Sequence, residues 1–212
     1  MATYDLEEQE QLASLKAWWR EHGGMIVAVI IIASLIFSGW NGWNWYQRSQ
    51  SANAAVLYEQ LQKAARSNDT KATKESAGAI LEQYPRTIYA SLAALLSAKV
   101  HFQAGDLKTA RAQLQWATSN SRSAEIKSVA RLRLAGVMID DGASEEAVKV
   151  LEEKPEKGFE GLYAATRGDA LLAQNKKDEA KAAYKSALDN SSGLDPTMKE
   201  LVQVKLGALG DA

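Results

Sequence analysis

Residues 90–117 read ASLAALLSAKVHFQAGDLKTARAQLQWA. Apolar residues recur at three and four on either side of a polar break, QAGD, which is the pattern of two amphipathic helices joined by a tight turn. Two further stretches repeat it: KSVARLRLAGVMIDDGASEEAVKVLEEK (residues 127–154) and EGLYAATRGDALLAQNKKDEAKAAYKSAL (residues 160–188). In the turns QAGD and DDGAS, Gly105 and Gly142 suit the left-handed residue that closes a helix; QNKKD forms the third turn. Every second helix carries an alanine followed four residues later by a larger apolar residue, namely Ala110 with Leu114, Ala147 with Leu151 and Ala180 with Tyr184. A small residue at that place lets paired helices approach closely. The three alanines are 37 and 33 residues apart, bracketing a repeat period of about 34 residues.

These segments resemble tetratricopeptide-like helical repeats. Ala98, Ala135 and Gly168 occupy the small position of the first helices, and His101, Met138 and Leu171 follow where tyrosine is usual. A divergent leading pair is expected over 54–67 and 70–84, closed by Pro85, and a capping helix over 196–209 after the Asp195-Pro196 start signal. The fold class is therefore all-α: a helical-repeat solenoid over 54–212.

Upstream lies GGMIVAVIIIASLIFSGWNGWNWY, residues 23–46. Its 23 uncharged residues from Gly23 to Trp45 would span about 34 Å as a helix, against a hydrocarbon core of about 30 Å. Trp18 and Trp19 precede the block, and Trp40, Trp43, Trp45 and Tyr46 follow it, placed to anchor at the two headgroup levels. Five of the six tryptophans sit there, which a buried core helix would have no reason to arrange. A cleaved signal would need a basic start and a small-x-small site close behind its apolar core. Instead, residues 1–22 hold five acids against Lys16 and Arg20, and the small-x-small triplet Ala52-Asn53-Ala54 lies beyond the aromatic cluster. The block reads as a permanent membrane anchor. Lys16 and Arg20 before it, against Arg48 alone in the 16 residues after Tyr46, favour a cytoplasmic N-terminus. The expected organisation is an acidic, partly helical tail (1–22), a transmembrane helix (23–46), a polar linker (47–53) and the repeat domain (54–212). Asp5 with Glu8 has capping-box spacing, and Gly23-Gly24 offers a joint between tail helix and span.

Little in the chain points to chemistry. From residue 23 onward, 23 Lys and Arg stand against 21 Asp and Glu, with no basic stripe of the kind a nucleic acid requires. No cysteine is present, which excludes disulfides and thiolate metal sites. Neither His22 nor His101 has a metal partner at helical spacing, so no metal and no cofactor is expected. The pairs Asp140-Asp141, Glu145-Glu146 and Glu152-Glu153 read as solvated charges, because adjacent residues on a helix point apart. Arg167-Gly168-Asp169 falls inside a helix and carries no adhesion function. No phosphate loop and no nucleophile–base constellation occurs, so no enzyme is expected.

Binding remains. Ala94, Ala98 and His101 mark the face of a first helix turned to its own partner. The face rotated away carries Leu95, Lys99 and Phe102, then Leu132, Gly136 and Ile139, then Ala165, Asp169 and Leu172. Repeats of this kind commonly line a concave groove with that face. The competing reading packs these residues into the core.

The order of parts resembles the YfgM-like ancillary subunits of the bacterial SecYEG translocon over nearly the whole length. The most telling stretches are YASLAALLSAKVHFQAGDLKTARAQL, RLRLA (residues 131–135) and RGDALLAQNKKDEAKAAY. The resemblance implies a single-pass type II inner-membrane protein with a periplasmic repeat domain. It also implies association with SecYEG and with a membrane-anchored chaperone of the peptidyl-prolyl isomerase class, in the service of newly exported client proteins. The alternative is a membrane-tethered scaffold for another cell-envelope assembly complex.

Overall fold

The computed structural model describes residues 2–210. Nine α-helices and one short 3-10 turn account for its regular structure, and no strand occurs among the described residues. Two compact units divide the chain, Met1–Ser49 and Gln50–Ala212. Helix α1 runs Ala2–Arg66. The expected polar linker at 47–53 is therefore helical, as are Gly23 and Gly24, so neither interrupts α1. Glycine costs only about 1 kcal/mol in a helix interior, too little to break one this long. The helical backbone begins at Ala2; the side chains of Asp5 and Glu8 lie outside the described residues.

In the first unit, α1 contains one stretch long and apolar enough to cross a membrane. Its aromatic flanks are organised at helical spacing. Trp18 stacks on His22 with ring centroids 5.3 Å apart, the Trp19 ring lies over Gly23, and Trp43 meets Tyr46 at 6.1 Å. Trp18, Trp19, Trp40, Trp43, Trp45 and Tyr46 are all about half exposed or more.

The second unit is a row of helical hairpins. Its first comprises the end of α1 and α2 (Thr70–Gln83), followed by α3 (Ile88–Gln103) with α4 (Leu107–Asn120), then α5 (Ala124–Asp140) with α6 (Ser144–Val150), then α7 (Glu160–Ala173) with α8 (Lys177–Asp189). Helix α9 (Pro196–Ala208) follows the last hairpin. Each hairpin turns through one left-handed residue: Asn68 (φ 52), Gly105 (φ 78), Gly142 (φ 77) and Asn175 (φ 62). Around it the same backbone bonds recur, Asp69 N–H to Ala64 O, Asp106 to His101, Ala143 to Met138 and Lys176 to Leu171, at 2.7–3.1 Å. This six-to-one closure satisfies carbonyls that a helix end would otherwise orphan. The leading pair is thus a repeat of the same design, with asparagine tolerating the conformation where glycine is absent. Asp69, Thr87, Asp106, Ser123 and Asp195 accept hydrogen bonds from the starting N–H groups of α2, α3, α4, α5 and α9, each worth about 1 kcal/mol.

Packing inside each hairpin follows a volume rule. Leu61 and Ala77, Ala98 and Leu114, and Gly168 and Tyr184 are all buried, one from each helix of a pair, and in the third hairpin Ala135 is buried with Leu151, the C-cap residue of α6. Where the first helix offers a large residue the second offers a small one, and the reverse. Gly168 is the extreme case, since a Cβ there would lie 2.4 Å from Cε1 of Tyr184. Three buried clusters follow along the array: one around Leu61 and Ile80, a central one around Leu114, Leu134 and Met138, and a terminal one around Tyr184 and Val202. Leu81 and Trp116 pack against both the first and the central cluster, while Val148 of α6 packs against both the central and the terminal one.

Helix α6 departs from expectation. The second helix of this hairpin was expected to reach Lys154, yet it stops at Val150 and has only 7 residues, against 13 or 14 in α2, α4 and α8. Pro155 disfavours a helical Lys154, and Ser128 Oγ on α5 accepts the Glu156 N–H at 2.9 Å, holding the chain as a loop. Tyr163 donates its hydroxyl to the Ser128 carbonyl at 3.2 Å, and burial pushes its pKa up.

Candidate binding clefts

Two clefts open between successive first helices of the hairpins. One, of about 400 Å³, lies between α3 and α5 with Leu114 of α4 at its floor; Ala98, Lys99, Phe102, Arg133, Gly136 and Asp140 line it. The other, of about 410 Å³, lies between the end of α1 and α3, with Tyr58, Gln62, Arg66, Leu96, Lys99 and Gln103 in its wall. Lys99 belongs to both.

The face expected to form one groove is divided by the structure. Lys99 and Phe102 are exposed, Gly136 is half-buried, and all three come together in the α3–α5 cleft. Leu95 is 8% exposed and sits in the central cluster, so it faces core rather than groove. Leu132 and Ile139 are half-buried against the same cluster. In the last hairpin Ala165 is buried and Leu172 packs on the terminal cluster. Asp169 is occupied: its Oδ1 accepts from Tyr184 Oη and from Lys205 Nζ, each at 2.7 Å. Those bonds tie α7 to α8 and α9. The hydrogen bonding of Asp169 and the burial of Gly168 leave Arg167-Gly168-Asp169 no exposed loop to present. Burial pushes the Tyr184 hydroxyl well above its ordinary pKa, with the Asp169 carboxylate adding to the effect.

Arg133, Asp140 and Arg66 were not expected in these walls. Arg133 and Asp140 each lie one residue from a position chosen by helical spacing, Leu132 and Ile139, while the leading hairpin that holds Arg66 was given no groove face. The turn of one hairpin on the next is a property of whole-hairpin packing, which spacing within one helix does not encode.

Several charges elsewhere tie helices or turns together. Arg111 on α4 contacts Glu146 and lies 3.9 Å from Asp141, joining the second hairpin to the third, so these two acids are paired as well as solvent-exposed. Arg131 meets Glu153 at 2.9 Å. His101, buried at the end of α3, has Nδ1 3.2 Å from Asp106 Oδ2. Among the described residues no group of three or more His, Cys, Asp or Glu side chains is placed to hold a metal ion.

An apolar N-terminal helix and a row of hairpins closed by left-handed turns define a membrane-anchored tetratricopeptide repeat-like protein. The tetratricopeptide repeat-like domain family matches residues 16–211. Curated relatives extend over nearly the full length of both chains. The ancillary SecYEG translocon subunit of Aggregatibacter actinomycetemcomitans is 32% identical over 97% of this chain and 99% of its own. That of Neisseria gonorrhoeae is 32% identical over 96% and 98%, and that of Escherichia coli 26% over 95% and 96%. The chain belongs to the family of ancillary SecYEG translocon subunits. One apolar helix and this kinship fit a single-pass inner-membrane protein.

Proposed function

We propose that this protein is a non-enzymatic adaptor held beside the SecYEG translocon, where its repeat domain receives newly exported chains and a chaperone partner. The observation that carries the reading is the full-length similarity to proteins named ancillary SecYEG translocon subunits, anchor and repeats together. Its orientation is N-terminus in the cytoplasm and repeats in the periplasm, supported by Lys16 and Arg20 ahead of the span against Arg48 after it. The chaperone partner is of the membrane-anchored peptidyl-prolyl isomerase class, and the clients are periplasmic or outer-membrane proteins leaving the translocon. Open, uncatalytic clefts suit holding rather than turnover. Purification from native membranes in mild detergent tests the adaptor role. Co-recovery of SecYEG upholds it, whereas a different stable envelope complex in its place assigns the chain to other envelope assembly. Reporter fusions at the two termini test the orientation.

A further inference from the structure

The two clefts that meet at Lys99 are lined by more cations than acids. Arg66, Lys99 and Arg133 are exposed in their walls, and Asp140 is the one acid that lines either cleft. None of the three cations makes an ion pair among the described residues. Arg111 and Arg131, by contrast, are paired with Glu146 and Glu153. From residue 23 onward the chain is nearly balanced, 23 cations to 21 acids, whereas the linings of these two clefts hold Arg66, Lys99 and Arg133 against Asp140. Between the cations lies apolar surface: Phe102 is 41% exposed, beside Ala98 and Val137 in one cleft and with Tyr58 and Leu96 in the other.

We infer that these clefts bind extended polypeptide segments in which acidic residues alternate with aromatic or large aliphatic ones. The inference rests on the adaptor reading and names the chemistry of what is held. Cations spaced along a trough favour carboxylates presented at intervals, as an extended chain presents them. The apolar patches at Phe102 and Leu96 take the side chains between. Long-range attraction speeds capture, while most of the residence time comes from burying the apolar anchors. Lys99 stands where the clefts join, so one segment can run through both.

The test measures fluorescence anisotropy of labelled peptides binding to the full chain in detergent. The probes are a Glu/Phe/Leu peptide, the same peptide with Lys for Glu, and one with Ser for Phe and Leu. The acidic apolar peptide is expected to bind at least about tenfold more tightly than either control, and to weaken as ionic strength rises from about 0.05 to 0.3 M. The double variant K99E/R133E should lose about tenfold for the acidic peptide and gain affinity for the lysine one. That reversal of preference separates a specific effect from simple unfolding. Equal binding of acidic and basic peptides, or an unchanged preference in K99E/R133E, overturns the inference. SecYEG co-recovery with these results negative would sink only the inference; peptide binding without SecYEG would sink only the adaptor reading.

Discussion

The ring of Tyr184 rests on the α-carbon of Gly168, with no room for a single methyl group between them. The other hairpins of the array use Ala with Leu in the same pair of places, or Leu with Ala in the first. Gly168→Ala is therefore expected to destabilise the repeat domain by roughly 1–3 kcal/mol through overpacking. Adding Tyr184→Leu should recover part of that loss by recreating the pairing of Ala98 with Leu114. Chemical denaturation of the four combinations would measure the coupling. Additive effects would show that the two residues do not share one volume.

A second expectation concerns alkaline pH. Tyr184 Oη donates to Asp169 and is buried, so its folded-state pKa lies above the ordinary 10.0. Unfolding frees it to ionise, and stability is lost as pH rises beyond about 10. Tyr184→Phe forgoes the hydrogen bond, at a cost of about 1 kcal/mol near neutrality. Its stability should fall less steeply than the wild type's between about pH 10 and 11. Parallel curves would remove Tyr184 from the account.

Low pH probes the turn between α3 and α4. Hydrogen bonds from Thr109, helped by the charges of His101 and Lys74, hold the Asp106 carboxyl below its usual 3.8. The depressed pKa contributes stability at higher pH that is lost as pH falls below about 4. Asp106→Asn keeps a capping oxygen but not the charge. Its stability deficit should shrink toward zero below about pH 4, read by thermal unfolding across a pH series; a constant deficit would contradict the assignment.

Phe102 and Ile139 had equal claim to the groove from sequence. Their surroundings separate them, since Phe102 is 41% exposed and Ile139 packs on the central cluster. Phe102→Asp should leave the melting temperature within a few degrees of wild type. Ile139→Asp should cost about 2 kcal/mol or more, as burying a charge does. Equal losses would place Phe102 in the core.

What sequence could reveal here was local. Gly105 and Gly142 announce their turns because a left-handed residue is nearly a glycine property, and Asp195-Pro196 marks the start of α9 by its chemistry. The anchor was legible because lipid demands a long uncharged run, whatever the neighbours. Contacts between hairpins were not legible. Lys205 finds Asp169 from 36 positions away, and Ser128 captures Glu156 from 28 away. No spacing rule reaches so far. Arg133 joins Phe102 in one cleft only because two hairpins stack with a particular rotation, and Leu95 is buried for the same reason.

The truncation of α6 sets how the repeat array comes apart. Neighbouring hairpins hold one another up, so opening begins where they share least. Leu81 and Trp116 knit the first cluster to the central one; at the other junction α7 contributes Tyr163 and Ala170 to the central cluster and Ala165 and Leu171 to the terminal one, and the 7-residue α6 adds Val148. Amide exchange across 144–150 should therefore outpace that across 107–120 by about tenfold or more. With α6 loosened, the central cluster loses Ala147 first, while Tyr163 and Ala170 of α7 still hold its far side, so the array yields from the third hairpin outward and not from its ends.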